Sequence, residues 1–148
     1  MLRLIVDENI AFADKAFAQF GKVNLMPGRE INNSALKDTD VLIVRSITNV
    51  DEDLLKNTPV KFVGTATIGT DHIDLDYLKC KNIFFADAKG CNAFSVAEYI
   101  VASILNLAVK FDFSLKDKSI GIVGVGNVGS KVAAFAEALG MTVLLNDP

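Results

Sequence analysis

The stretch SIGIVGVGNVG, residues 119–129, determines the fold class of this chain. A short β-favouring run over 119–123 leads into the pattern GxGxxG, with glycines at 124, 126 and 129. Apolar residues at helical spacing follow, and Gly140 ends that predicted helix before a second apolar strand over 142–145. This order of strand, glycine turn, helix and strand predicts a βαβ unit that binds the pyrophosphate of a dinucleotide.

Each glycine of the pattern has a separate predicted role. Gly124 permits the tight turn, Gly126 lets the backbone approach a pyrophosphate, and Gly129 lets helix and strand pack closely. Free N–H groups at the helix N-terminus favour phosphate, and Asp147 after the second strand would accept hydrogen bonds from the ribose. Because that carboxylate would repel a 2′-phosphate, we expect NAD rather than NADP. A glycine-rich turn that only packs is disfavoured because the surrounding elements come in the correct order.

Upstream of this unit, short apolar strands alternate with helix-like segments. The predicted strands are 2–6, 23–26, 41–44, 61–63 and 83–85, and the predicted helices follow Asn9 as N-cap, 51–56 and 74–79. Strands that are apolar throughout and separated by helices indicate a parallel sheet covered on both faces. We therefore predict an α/β fold: a flavodoxin-like doubly wound parallel sheet over residues 1–92, then an interface helix and the first βαβ unit of an incomplete Rossmann NAD-binding domain over 93–148.

The predicted interface helix is apolar on nearly every side. Ser95 and Glu98 match a capping box, which predicts a helix from Val96 to about Lys110. A helix that is apolar all round is typical of a buried element, so we expect it at an inter-domain or subunit interface. Glu98 and the polar ends of the stretch 93–109 argue against a membrane span.

Composition excludes several classes of protein. The chain has 148 residues, enough for one ordinary domain, and its 51% hydrophobic and 22% charged residues exclude disorder and collagen-like repeats. A net charge of −3 disfavours a nucleic-acid partner. The N-terminus has no signal-peptide core, and Cys80 and Cys91 form neither a disulfide framework nor a metal motif. We therefore expect a cytoplasmic protein without a metal site.

Two polar loops follow predicted strands, and doubly wound sheets bind ligands at that carboxyl edge. The loop Gly64–His72 has two glycines and three threonines, which suits either a small polyhydroxy or anionic substrate or a plain turn. Arg45 and Ser46 hold the equivalent place after another strand, where an arginine binds an anion or, more often, is solvated. We expect His72 to be structural, and Asp7-Glu8 to cap the first helix rather than act as an acid–base pair.

Several stretches together resemble the D-2-hydroxyacid dehydrogenase family. They are Leu4–Asn9, Val44–Thr48, Lys61–Thr67, Gly69–His72, Gly90–Ala93, Val96–Tyr99 and Gly121–Gly129. The resemblance covers the whole chain, with one small departure at Lys89, where we expect proline. It implies NAD-dependent oxidation of the 2-hydroxyl of a small phosphorylated hydroxy acid, and a homodimer.

By that likeness, Ser46 and Thr67 would contact substrate, Asn127 and Val128 would lie on the pyrophosphate, and Asp147 on the ribose. The family's catalytic arginine, glutamate and histidine all fall beyond this sequence, so no catalytic residue is assigned. We therefore expect an N-terminal fragment without turnover and with weak NAD binding. The alternatives are a family member acting on another 2-hydroxy acid, such as phosphoglycerate, and a non-catalytic NAD-binding or dimerisation module.

Overall fold

The computed structural model describes residues 1–147, which fall into one unit over Met1–Lys89 and a second unit from Gly90 onward. The strands of the first unit are β1 (Leu2–Asp7), β2 (Gly21–Met26), β3 (Val41–Val44), β4 (Phe62–Thr65) and β5 (Phe84–Asp87). Its helices are α1 (Ala13–Phe17), α2 (Glu52–Leu55) and α3 (Leu75–Cys80), with a 3-10 turn at Ala35–Asp38.

The first unit is a parallel five-stranded sheet with the strand order β2-β1-β3-β4-β5. This order confirms the predicted flavodoxin-like sheet. Alternate residues of the same strands enter two different cores: Ile5 and Leu42 pack on the face that holds Leu78, whereas Leu4 and Ile43 pack on the opposite face. Burial on both faces explains why β3 and the buried part of β1, Leu4–Val6, are apolar throughout.

Two of the predicted helices begin where the sequence places them. Asp51 is the N-cap of α2, and its carboxylate accepts a hydrogen bond from the Leu54 N–H at 2.9 Å. Asp74 is the N-cap of α3, and its carboxylate accepts from the Tyr77 N–H at 2.9 Å.

Helix α1 differs from its prediction. The carboxylate of Asp7 accepts the Asn9 N–H at 2.9 Å, which forms a local turn instead of a helix cap. Phe12 then has a left-handed φ of 58°, so the helix begins only at Ala13 and is five residues long. Neither Asn9 nor Asp7-Glu8 caps it, so both capping predictions are wrong.

The second unit contains α4 (Ala93–Lys110), β6 (Ser119–Val123), α5 (Gly129–Ala138) and β7 (Thr142–Asn146). Strands β6 and β7 pair in parallel, with Val123 beside Asn146, which confirms the predicted βαβ unit. Its core is a cluster of Ala97 from α4, Ile122 from β6, and Val132 and Ala133 from α5.

Helix α4 corrects two predictions. It begins three residues before the predicted start, because the Ala93 N–H already donates to the Gly90 carbonyl and the Val96 N–H to the Asn92 carbonyl. Ser95 therefore lies inside the first turn, and the capping box is wrong. The helix is also not buried all round in this chain: only Ala93, Ala97 and Ala108 of α4 are buried.

Helix α4 exposes a large apolar surface. Tyr99 is 75% exposed and Val109 is 83% exposed. With a mean hydropathy of 1.4, α4 is the one helix of the described residues that meets the length and composition criteria for a membrane span, a test that the core helix of a globular protein also passes. An exposed apolar surface of this kind is suited to contact with a partner.

Candidate functional site

The glycine-rich turn between β6 and α5 has four backbone donors without acceptors. Gly124 has a φ of +90°, and its N–H donates to the Asn146 carbonyl at 2.8 Å, which ties the turn to the end of β7. The Ser130 N–H donates to the Gly126 carbonyl at 3.1 Å. Within residues 1–147, no backbone or side-chain oxygen accepts from the N–H groups of residues 125–128. Free donors at a helix N-terminus are suited to an anion.

The three glycines of the turn are required for different reasons. A Cβ at Gly129 would overlap the carbonyl oxygen of Gly124 and lie 3.2 Å from Ile122 Cγ2, so this residue allows α5 to touch the turn. A Cβ at Gly126 would have no neighbour within 4 Å. Because the protein itself leaves that space open, a glycine at 126 is not required for packing and leaves room for a ligand at the backbone.

A further glycine, Gly90, shapes the same turn. It has a φ of +81°, and a Cβ there would lie 3.0 Å from Cγ and Nδ2 of Asn127. The Asn127 amide makes no side-chain hydrogen bond within the described residues, so its donors and acceptor are free. Sequence alone indicates Gly90 only through the family resemblance of Gly90–Ala93, and it gives no signal for the contact with Asn127.

The remaining cofactor candidates lie on the same edge of the two-stranded sheet. Val128 is partly buried against the core of the second unit, so its side chain packs and only its backbone is available to a ligand. Asp147 is exposed and directly follows β7, whose end lies beside the end of β6. The structure thus brings the predicted residues 124–129 and Asp147 to one edge.

In the first unit, the predicted substrate residues follow neighbouring strands of the sheet. Ser46 follows β3 and is exposed, and Thr67 follows β4 and is partly buried. Strand β1 pairs with β2 on one side and β3 on the other, so the strand order reverses between β1 and β3. Doubly wound sheets bind ligands at the carboxyl edge beside such a point. Ser46 and Thr67 therefore lie at the edge where a ligand is expected.

Thr67 belongs to a hydrogen-bonded chain of side chains. Its Oγ1 lies 3.0 Å from the Gly69 carbonyl oxygen and 2.7 Å from Oγ1 of Thr65. Thr65 is 4% exposed, and its Oγ1 lies 2.9 Å from Nε2 of His72. Burial lowers the pKa of His72, although the nearby Asp71 carboxylate opposes this shift. His72 is thus bonded to the last residue of β4, as expected of a structural residue.

Asp7, which we expected to cap the first helix, is instead a buried carboxylate at the end of β1. It ends β1 and is fully buried, and Oδ1 accepts from Asn9 while Oδ2 has no hydrogen-bond partner in the described part of the chain. A Cβ at Gly28 would lie 2.5 Å from Oδ2, so this glycine packs directly against the carboxylate. The available signal was an acid that directly ends an apolar strand.

Arg45 is a free cation near the same edge. It is partly buried, and the ion pairs among residues 1–147 involve only Arg3 and Lys56 as cations. The described residues contain no cluster of three potential metal ligands. Arg45 is therefore available to a carboxylate or phosphate at this edge of the first unit.

Comparison with known sequences identifies a family. The family model described as "D-isomer specific 2-hydroxyacid dehydrogenase, catalytic domain" matches residues 4–143. Among curated relatives, the erythronate-4-phosphate dehydrogenase of Chromohalobacter salexigens is 52% identical over 99% of this chain, and that of Cronobacter sakazakii is 50% identical over 99%. The chain spans only 38% and 39% of the length of these two relatives.

Solved structures with the same fold include two with NAD. The cofactor (NAD+) bound 3-phosphoglycerate dehydrogenase of Entamoeba histolytica has a TM-score of 0.75 at 29% identity, covering 99% of this chain and 54% of that one. The D-lactate dehydrogenase of Aquifex aeolicus, complexed with NAD and lactic acid, has a TM-score of 0.70 at 27% identity, covering 97% and 50%.

Proposed function

Since the chain belongs to the D-isomer specific 2-hydroxyacid dehydrogenase family, we propose that it forms part of an NAD-dependent erythronate-4-phosphate dehydrogenase. The reaction is oxidation of the 2-hydroxyl of 4-phospho-D-erythronate to (R)-3-hydroxy-2-oxo-4-phosphobutanoate, a step of pyridoxal 5′-phosphate (vitamin B6) biosynthesis in the cytoplasm. About 50% identity to relatives of that name supports this choice over phosphoglycerate dehydrogenase.

The single observation that supports cofactor binding best is the set of free N–H groups at residues 125–128. Together with the open space at Gly126, they leave exposed backbone donors that suit the oxygens of a pyrophosphate. We propose that Asn127 and Val128 lie on the pyrophosphate and that Asp147 accepts hydrogen bonds from the ribose. NAD held by these residues would supply the hydride acceptor for oxidation at C2 of the substrate.

The first unit is proposed to hold the substrate. The phosphate and carboxylate of 4-phospho-D-erythronate are anions, and Arg45 is a cation without an ionic partner in the described chain. Ser46 and Thr67 supply hydroxyl groups at the same sheet edge. We expect this arrangement to bind a small phosphorylated hydroxy acid. The chain's single histidine is not assigned as its base, because Nε2 is already bonded to Thr65.

Cofactor binding is tested with two glycine variants that are both expected to fold. Gly126→Ala and its control Gly121→Ala each place a Cβ in open space. In an NAD titration, we expect Gly126→Ala to weaken binding by about tenfold, roughly 1.4 kcal/mol, while Gly121→Ala binds as the parent chain does. Equal NAD affinity for all three chains would contradict a pyrophosphate at this turn.

Substrate choice is tested by titrating 4-phospho-D-erythronate and 3-phosphoglycerate in parallel. We expect the former to bind more tightly and to shift the NMR signals of Ser46 and Thr67. We propose that the family's catalytic arginine, glutamate and histidine are not among these 148 residues, so we expect the chain to show no steady NADH production. Steady turnover by the purified chain, or a preference for 3-phosphoglycerate, would overturn the respective proposal.

We also propose that the parent enzyme is a homodimer formed through α4. The exposed apolar side chains of this helix, Tyr99 and Val109 among them, need a partner surface. Sedimentation of the unsubstituted 148-residue chain and of its Val109→Glu variant tests this. We expect a concentration-dependent dimer that the glutamate weakens, whereas a monomer at all concentrations would contradict it.

A further inference from the structure

The hydrogen-bonded chain in the loop after β4 has only one possible direction. The Gly69 carbonyl oxygen has no proton, so it accepts the single hydroxyl proton of Thr67 at 3.0 Å. Thr67 Oγ1 must then accept from Thr65 at 2.7 Å. Since Thr65 has thereby used its own proton, its Oγ1 accepts from Nε2 of His72 at 2.9 Å. The imidazole must therefore hold a proton on Nε2.

Burial keeps the direction of these hydrogen bonds fixed. Thr65 is 4% exposed, so water cannot readily replace a bond that its hydroxyl loses. Burial also lowers the pKa of His72, which favours the neutral imidazole. The bond to Thr65 then places the single ring proton on Nε2 and leaves a lone pair on Nδ1. A proton on Nδ1 alone would place two unprotonated acceptors against each other at 2.9 Å.

The direction determines what Thr67 offers a ligand. Its proton is committed to Gly69 and one lone pair to Thr65, so only a second lone pair remains. A lone pair accepts from a hydroxyl group but repels a phosphate or carboxylate oxygen. Thr67 therefore suits a hydroxyl of the substrate, and the anionic groups are left to other residues such as Arg45.

We propose that His72 is a positioning residue: its Nε2–H donates to Thr65 and holds that hydroxyl where it donates to Thr67, so that Thr67, whose own proton goes to Gly69, accepts a hydrogen bond from a substrate hydroxyl and does not donate one to an anion. The ligand part of this proposal rests on the proposed function, because it requires a hydroxy-acid substrate at Thr67. The tautomer of His72 and the direction of the bonds do not depend on that function.

The direction is tested by ¹⁵N NMR of the imidazole. His72 is the chain's single histidine, so its ring nitrogens are assigned without ambiguity. We expect a protonated Nε2 whose proton exchanges slowly in the parent chain and in Thr65→Ser, and rapidly in Thr65→Val, which keeps the shape of threonine without its oxygen. A proton on Nδ1, or a Thr65→Val spectrum equal to that of the parent, would overturn the proposal.

The choice of ligand group is tested by titration with two probes, 4-phospho-D-erythronate and inorganic phosphate. We expect only the hydroxy acid to shift the Thr67 methyl signal. His72→Gln, which keeps an N–H donor near the position of Nε2, should keep its affinity within about threefold, whereas His72→Phe should weaken it by about tenfold. NAD affinity should be equal in both variants.

The outcomes separate the two proposals. A shift of the Thr67 methyl by inorganic phosphate alone, or equal losses in His72→Gln and His72→Phe, would overturn the positioning role. Failure of the hydroxy acid to bind a folded chain would overturn the proposed substrate, and the imidazole spectrum would still decide the direction of the hydrogen bonds.

Discussion

Replacing Gly129 by alanine tests the geometry of the dinucleotide turn most directly. The new Cβ would overlap the carbonyl oxygen of Gly124, and it would lie 3.0 Å from the carbonyl carbon of the same residue. The obstruction is backbone rather than the flexible end of a side chain. The position of that backbone is also restrained, because the Gly124 N–H donates to the Asn146 carbonyl at 2.8 Å. The turn and α5 must therefore move apart.

The expected cost follows from two opposing effects. Overpacking costs typically about 1–3 kcal/mol, and we take about 3 kcal/mol because the backbone itself is displaced. Alanine returns about 1 kcal/mol through its higher helix propensity at the first residue of α5. The net loss in the free energy of unfolding of the second unit is therefore about 2 kcal/mol.

The assay is urea denaturation followed by circular dichroism, together with amide hydrogen exchange in α5. We expect the midpoint of the second unit to fall by about 1–2 M for an m-value of roughly 1–2 kcal/mol/M. Gly121→Ala is the matched control, since its Cβ meets nothing within 4 Å and its stability should not fall. Amides of β3, in the other unit, should exchange as before. An unchanged midpoint for Gly129→Ala, or an equal loss in Gly121→Ala, would refute the reasoning.

Three further predictions concern the pH dependence of stability, the core of the first unit and the choice between NAD and NADP. Because burial lowers the pKa of His72 in the folded state, the unfolded chain binds a proton more readily. The urea midpoint of the first unit should therefore fall as the pH drops from about 8 to below the pKa of histidine in the unfolded chain, about 6.5. His72→Gln should make the midpoint less dependent on pH. Leu78→Ala should cost about 2–5 kcal/mol in denaturation of the first unit, because Leu78 is 1% exposed in its core; a loss below about 1 kcal/mol would contradict that packing. Asp147→Ser should leave the stability unchanged, because the residue is exposed. In paired titrations it should raise the affinity for NADP relative to that for NAD by about tenfold or more. An unchanged affinity ratio would show that Asp147 does not contact the ribose.

Local signals were sufficient for the strands and for the βαβ unit. The predicted strand over 41–44 coincides with β3, and the glycine spacing at 124, 126 and 129 placed the turn between β6 and α5. Both signals act within a few residues, since an apolar run selects a buried strand and a glycine selects a turn conformation. The parallel sheet followed because strands that are apolar on both faces, such as β3, alternate with helices along the chain.

Local signals failed where two patterns competed for the same residues. Asparagine is a favoured helix cap, but the Asn9 N–H donates to the Asp7 carboxylate in a local turn, and α1 begins only at Ala13. Ser95 and Glu98 match a capping box, but the segment at Gly90 already starts the helix from Ala93. In both cases the hydrogen bonds of a neighbouring turn, to the Asp7 carboxylate in the first and to backbone carbonyls in the second, set the first residue of the helix.

The sequence by itself determined the element order, the parallel sheets, the family resemblance and the residue types available at each sheet edge. Only the tertiary structure decided that Asp7 is buried beside Gly28, that Gly90 packs on Asn127, and that α4 leaves its apolar surface exposed. It also decided which hydroxyl donates to which in the chain from His72 to Thr67. The physical reason is that hydrophobic periodicity acts along the chain, whereas burial and hydrogen-bond direction depend on groups that only folding brings together.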